Sequence, residues 1–492
     1  MRLWQELEKL KSDGPYPFHM PGHKRNFAGA FEDENPGKTD MTVTASEIDI
    51  TEIDGFDNLH NPEGVLLEES RRAAKLFGSR DTFLLVNGST CGNLAAIAAA
   101  VPIGGRVLMQ KDSHKSVYNG VRLRAADIVY ITSDISNKNI SNKDISEEIE
   151  AALESAAESA SEPAVQKSPS PKSAGGFDLV ILTSPDYIGE TLDIAGICRI
   201  CHKHGVPVLV DAAHGAHFRF SDNFPRDAVS AGADLVVNSL HKTLPSLTST
   251  ALLHVNGDLV DINQVKYYTQ VFQTSSPSYV LMSSISRCLQ FLEEESGEFE
   301  SYVNRLEDFY KATKDLKNLK VRQFANAKDS ETPAVQWDAS NGGAGGEDEK
   351  KLCDRRKTDM GKIVIYPPEG LTGLDLARIL RRDYKIEPEM AVPEYMLCMT
   401  SVCDSSKAFL MLSDVLHDID RRLDGDGESQ ESGDNKDAVS LLAGLAGTTA
   451  KVDLVPYPPG IPLVLRGELI TEEKAKAMEK ILLAGGRIEG IG

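Results

Sequence analysis

The sequence has no excess of positive charge. Its 53 Lys and Arg face 74 Asp and Glu, a formal net charge of −21. A field of that sign repels phosphate backbones, so nucleic acid is not an expected partner. There is no long hydrophobic run either, since the longest apolar stretch, residues 94–105, is too short to cross a bilayer. The N-terminal MRLWQELEKLKSDGPYPF is amphipathic and charged, without the apolar core and small-residue cleavage site of a secretory signal. No disulfide framework is visible, because the seven cysteines are scattered and odd in number, which fits a reducing compartment. No internal repeat is evident. These absences lead to the expectation of a cytoplasmic protein with no membrane partner.

What remains is ordinary for a soluble globular chain, with 41% hydrophobic and 26% charged residues. A length of 492 residues exceeds one simple core. Short apolar runs at residues 82–86, 106–110, 128–131, 179–183, 206–210, 235–238 and 251–255 alternate with amphipathic stretches such as 66–77, 93–101 and 194–204. Continuous apolar strands with helices between them predict an α/β, doubly wound domain with a mainly parallel sheet. Polar stretches near 155–176, 338–351 and 424–437 lack apolar periodicity and read as surface insertions. The expected division is an N-terminal arm (1–60), a major domain (61–300) and a smaller C-terminal α/β domain (301–492).

Chemistry is expected beyond the carboxyl ends of the strands, where open α/β sheets bind ligands. After the first run comes Asn87-Gly88-Ser89-Thr90-Cys91-Gly92 and then a helix, whose free N–H groups favour a phosphate. After residues 206–210 comes Asp211-Ala212-Ala213-His214-Gly215-Ala216-His217. That acid could face a cofactor, bind a metal with His214 and His217, or cap a turn. After residues 235–238 comes Ser239-Leu240-His241-Lys242-Thr243. A lysine just past an apolar strand is partly desolvated, which makes its amine nucleophilic. A phosphate cradle, an acid and an amine at one sheet edge are what pyridoxal 5'-phosphate (PLP) requires. Cys198-Arg199-Ile200-Cys201-His202 has the spacing of a haem attachment and, with His204, of half a zinc site. On an amphipathic helix, cysteines three apart read as packing residues, so no metal is expected.

Longer stretches carry a resemblance. Pro17-Phe18-His19-Met20-Pro21-Gly22-His23-Lys24, Asp49-Ile50-Thr51-Glu52, Asp57-Asn58-Leu59-His60-Asn61-Pro62-Glu63-Gly64, Asp112-Ser113-His114-Lys115-Ser116 and Pro456-Tyr457-Pro458-Pro459-Gly460-Ile461-Pro462 join the three segments above. Together they resemble the bacterial ornithine/lysine/arginine decarboxylases of the aspartate-aminotransferase-like (fold type I) PLP enzymes. The resemblance implies decarboxylation of arginine, lysine or ornithine to its amine, in the short, biosynthetic and polyamine-related form that lacks a receiver-like domain. It implies that Lys242 holds PLP as a Schiff base and that Asp211 pairs with the ring nitrogen. His114 would stack on the ring, and His214 would lie near the phenolic oxygen or Schiff base. Ser89, Thr90, Ser239 and His241 would surround the phosphate. It further implies a homodimer or higher homo-oligomer, with His19–Lys24 reading as an arm toward the partner.

Where the family often has Pro-Thr-Tyr, this chain has Ser184-Pro185-Asp186-Tyr187. The acid for the substrate's distal cation is open among Glu47, Asp49, Glu52, Asp54, Asp57, Glu389 and Glu394. Other fold type I reactions, such as transamination or lyase chemistry, and a non-catalytic relative are the alternatives.

Overall fold

The computed structural model describes residues 13–24, 48–53, 56–132, 141–160, 176–324, 355–423, 445–456, 460–483 and 486–491. The polar stretches at 338–351 and 424–437 lie outside these residues, as does most of 155–176. The chain divides into two compact units. One comprises residues 21–301 with 354–359, and the other residues 1–20, 302–353 and 360–492.

The first unit is built on a seven-stranded sheet. Its strands in chain order are β1 (Asp81–Leu85), β2 (Arg106–Gln110), β3 (Asp127–Ile131), β4 (Leu179–Thr183), β5 (Val208–Asp211), β6 (Leu235–Ser239) and β7 (Ala251–Val255), and their spatial order is β1-β7-β6-β5-β4-β2-β3. Pairing is parallel from β6 through β3, and β7 runs antiparallel to both its neighbours.

The central strands β4, β5 and β6 are largely apolar and buried because both faces are covered. Alternate side chains point to opposite faces. Val208, Val210 and Val236 join a core with Ile145, Ile149 and Leu153 of helix α4 (Asn142–Ala160) and Ile197, Cys198 and Cys201 of α5 (Ile194–Lys203). Val237, the next residue along β6, instead meets helix α2 (Gly88–Ala100). Helix α1 (Val65–Phe77) precedes β1, and α3 (Lys115–Leu123) follows β2. Both cysteines of the Cys198–Cys201 pair are buried, and burial first, then nearby Asp234, pushes the Cys198 thiol up to about 12. That keeps it a protonated packing group.

Several element ends shift by one residue from the sequence reading, and three boundaries differ by more. β5 starts at Val208 and includes Asp211, because Pro207 lacks an N–H and the Val208 N–H goes to Asp234 Oδ2 at 2.8 Å. α2 begins at Gly88, so Ser89 and Thr90 form its first turn. α4 runs on to Ala160, into the stretch read as an insertion, and Ala156 is buried against the core.

In the second unit, Tyr16–Phe18 pairs in parallel with Ile386–Pro388. A four-stranded antiparallel sheet runs Met390–Ala391, Met396–Met399, Lys362–Tyr366, Lys320–Val321. Near the C-terminus Leu454, Val464, Ile470, Met478 and Leu482 form a small core. Among the described residues, no helix is long and apolar enough to cross a membrane.

His254, in the middle of β7, is fully buried, with Nδ1 2.8 Å from Thr82 Oγ1. Burial pushes its pKa down to about 3. The unfolded chain therefore takes up this proton first as pH falls from about 6.5, and stability is lost on the way down toward pH 3. One such proton corresponds to about 1.4 kcal/mol per pH unit. His254→Leu should flatten the acid limb of stability by about one proton, read from urea midpoints between pH 4 and 7. An unchanged slope contradicts this account.

Candidate active site

Helix α2 lies unusually near the sheet because residue 92 is glycine. A Cβ there would stand 2.8 Å from Leu85 Cδ1 and 3.0 Å from Val237 Cγ1. That approach carries the next residue, Asn93, to the end of β5, where its Nδ2 donates to Asp211 Oδ2 at 2.8 Å. The Ala213 N–H donates to Asp211 Oδ1 at 3.2 Å. The same Asn93 Nδ2 donates to Ser116 Oγ at 2.9 Å. Ser116 in turn meets His114, the N-cap of α3, with its Oγ 2.8 Å from Nδ1 and its N–H donating to Nδ1 at 3.2 Å. Asp211, Asn93 and Ser116 are all buried.

One turn earlier on α2, Ser89 Oγ lies 2.5 Å from Ser239 Oγ at the end of β6. Thr90 sits beside it in the first turn and is exposed. Ser239 leads directly into the short helix α6 (Leu240–Thr243), which carries Lys242. Lys242 Nζ is 3.0 Å from His214 Nε2, and His214 lies on the turn that follows Asp211. Three side-chain contacts, Ser89–Ser239, Lys242–His214 and Asp211–Asn93, are thus joined into a circuit by the chain segments 239–242, 211–214 and 89–93. Thr90 and His241 are chain neighbours of this circuit, and His114 is linked to it through Ser116.

His241 is the neighbour of Lys242. Its Nδ1 donates to the Thr250 carbonyl at 2.9 Å, and burial, aided by Lys242 and His23, pushes its pKa down to about 4 against that hydrogen bond. The ring is neutral, with its hydrogen on Nδ1. Tyr187 packs its ring against His214, with centroids 4.8 Å apart. Asp186, where the family often has Thr, closes the loop behind it by accepting the Glu190 N–H at 2.8 Å.

Within the segment read as a partner arm, Gly22 packs against its own chain. Gly22 N–H donates to the His241 carbonyl at 2.7 Å, and a Cβ at Gly22 would lie 2.9 Å from the Leu244 carbonyl oxygen. Gly22 thus forms part of the seat of the helix that carries Lys242.

Among the acids proposed for a distal cation, Glu47 and Asp54 lie outside the described residues. Asp57 is committed to structure. Partial burial opposes its charge, but the N–H groups of Glu63, Gly64, Leu66 and Leu67 hold its carboxyl below the usual range. Glu389 accepts the Met20 N–H at 2.9 Å. Asp49, Glu52 and Glu394 are exposed. His217, weighed as a metal ligand, is buried with Nε2 3.2 Å from Asp359 Oδ1 and its ring against Phe218 and Phe224.

Asn93 stands outside the sequence motifs, and Ser116 and Tyr187 appear in them without an assigned role. Asn93 had a signal, as the one polar side chain between Cys91 and Val101. An isolated amide in such a run has to find a buried partner.

Comparison with known proteins identifies one family. A family model described as "Orn/Lys/Arg decarboxylase, major domain" matches residues 2–408, and one described as "Orn/Lys/Arg decarboxylase, C-terminal domain" matches residues 428–486. The chain is 30% identical over 507 residues to the uncharacterized protein YaaO of Bacillus subtilis (strain 168), covering 99% of this chain and 95% of that one. It is 28% identical over 518 residues to the arginine decarboxylase of the same organism, again covering 99% and 95%. The solved structure of the E. coli constitutive lysine decarboxylase has a TM-score of 0.67 at 17% identity, over 98% of this chain and 81% of that one, a likeness of fold.

The close approach of α2 can be tested. Gly92→Ala should destabilise the protein by about 1–3 kcal/mol, as overpacking does in a filled core. A urea midpoint equal to wild type contradicts the packing described here.

Proposed function

The chain belongs to the Orn/Lys/Arg decarboxylase family, and from that premise we propose that it releases CO2 from a basic amino acid with PLP as cofactor. The observation that carries this reading is Lys242 Nζ, 3.0 Å from His214 Nε2 on the turn that begins with Asp211. An amine, an imidazole and a buried carboxylate converge where two neighbouring strands end.

The donor set fits PLP. The Ser89 and Ser239 hydroxyls, with the first-turn N–H groups of α2, suit a phosphate. Neutral His241 donates to that phosphate only if the dianion draws a proton onto Nε2. Thr183 Oγ1, at the strand end in register with Asp211, is buried without a partner and suits a polar ring substituent. When bound, PLP supplies an aldehyde that condenses with amines and a pyridinium that accepts the electron pair left at Cα. Asp211 would hold the proton on the ring nitrogen, since a carboxylate beside it favours the charged form. His114 would pack on the ring face. Lys242 would hold the cofactor, and with His214 beside it would carry a proton at Nζ.

The arginine decarboxylase relative makes arginine the first substrate to try, ahead of lysine and ornithine. A polyamine-related role, a homodimeric working unit and a cytoplasmic location belong to the same reading. Purified protein with PLP and each of the three amino acids should give the amine and CO2 from at least one. Borohydride should fix the cofactor on Lys242. A keto acid product, or reduced cofactor mapped to another lysine, overturns the proposal.

Asp211→Ala should keep PLP bound through Lys242 and the hydroxyl cradle, yet lose about a hundred-fold or more in kcat, the effect of about 2–4 kcal/mol of lost charge stabilisation. Near-full turnover in this variant contradicts the role given to Asp211.

A further inference from the structure

Asp211 does more than face one way, because its oxygens dictate the direction of every hydrogen bond behind it. The Asn93 amide must present Nδ2 to an oxygen that only accepts. A flipped amide would set Oδ1 against Asp211 Oδ2. The orientation found leaves Asn93 Oδ1 buried without a partner, a cost of the kind an amide bears only when the other end is fixed. The Ser116 hydroxyl accepts from the same Nδ2 at 2.9 Å. Its own hydrogen is therefore free to point onward to His114 Nδ1, 2.8 Å away. The Ser116 backbone N–H already donates to that nitrogen at 3.2 Å. With two donors aimed at Nδ1, the ring hydrogen of neutral His114 belongs on Nε2.

We propose that Asn93 and Ser116 are positioning residues that transmit the orientation of Asp211 to His114 and fix His114 as the Nε2–H tautomer. The inference rests on the reading that Asp211 and His114 face PLP, one at the edge of its ring and the other on its face. Two groups on different elements, β5 and the start of α3, are thereby held as one unit. Ser116 lies next to Lys115 and Val117, and the chain of bonds passes through no other titratable side chain than Asp211 and His114 themselves. Lys242 and His214 stand on the other arm of the circuit.

The test reads the tautomer directly. The full chain is labelled with 15N-histidine, and long-range 1H–15N spectra are recorded with and without PLP, His114 being assigned by the loss of its signals in His114→Gln. Wild type should show Nε2 protonated and Nδ1 accepting. Ser116→Ala, which removes the hydroxyl relay, should move His114 to a mixture of tautomers, and Ser116→Thr should restore the wild-type pattern. Asn93→Asp should do as Ser116→Ala does, because a carboxylate there draws the Ser116 hydroxyl away from His114. If Asn93→Asp does not fold, the Ser116 pair decides alone.

CO2 release is followed in parallel. In Ser116→Ala, kcat should fall about tenfold, the scale of one lost hydrogen bond, with KM within about twofold, and Ser116→Thr should recover it. A wild-type His114 protonated on Nδ1, or a tautomer ratio unmoved by Ser116→Ala, overturns the proposal. A wild type that shows the expected tautomers and their shift, but forms no CO2 from any basic amino acid, overturns the decarboxylase reading and leaves the positioning roles standing.

Discussion

The close seat of helix α2 on the sheet is the constraint on which the site depends. Ser89 and Asn93 are four residues apart and so share one helix face. That face crosses the ends of two adjacent strands, and each residue takes one. Ser89 meets Ser239 on β6, and Asn93 meets Asp211 on β5. Gly92, between them in sequence, is the position where a larger residue would push the helix away from Leu85 and Val237. A lift of about an ångström would break both contacts at once, parting Ser89 from Ser239 and Asn93 from Asp211. Site geometry is thus a consequence of core packing, because interiors at this density transmit displacement rather than absorb it.

On β4, β5 and β6 the strand closes on a polar residue. Along β5 the residues Val208, Leu209 and Val210 are buried and apolar, and Asp211 closes the strand. Thr183 does the same for β4 and Ser239 for β6. Buried polar atoms are normally satisfied. The exceptions here include Asn93 Oδ1 and Thr183 Oγ1, one on the partner of Asp211 and the other on its register neighbour. The first follows from the direction that Asp211 imposes on the Asn93 amide, and the second lies at the end of the neighbouring strand.

Much of this was legible in sequence for a definite reason. Apolar strands covered on both faces read as unbroken runs, so β2, β4 and β7 begin and end where composition places them. β5 was misplaced by two residues at its start because Val206 and Pro207 look like strand, while the ladder needs an N–H that Pro207 lacks. Lys242, Asp211 and the hydroxyl residues could be nominated because each follows a strand, a position that periodicity marks. Asn93 and Ser116 sit inside helices, where sequence marks an isolated amide as needing a buried partner but does not say which, and their partners are fixed only when α2 and α3 pack together. The seat of Gly22 against Leu244 was hidden for the same reason: more than two hundred residues separate partners whose contact no local pattern encodes.

The placement of Lys242 follows from the reversal of strand direction at β7. Parallel neighbours need a crossover of a dozen or more residues, usually with a helix, and that is how β4, β5 and β6 succeed one another. β7 instead returns antiparallel beside β6, with Ser239 opposite Ala251. The intervening residues 240–250 are thereby drawn into a tight connection whose two ends are hydrogen-bonded neighbours. Within it, Thr250 N–H is held by the Leu247 carbonyl, Leu240 N–H by the Thr250 carbonyl, and His241 Nδ1 by that same carbonyl. Ser246, Thr250 and Ser284 tie the connection to the following helical layer. A lysine on a long crossover helix would follow the motions of that helix. On this connection it is fixed to the edge of the sheet itself, within 3.0 Å of a histidine on the turn after Asp211. The departure from a wholly parallel sheet is therefore what gives the amine a rigid address opposite the carboxylate.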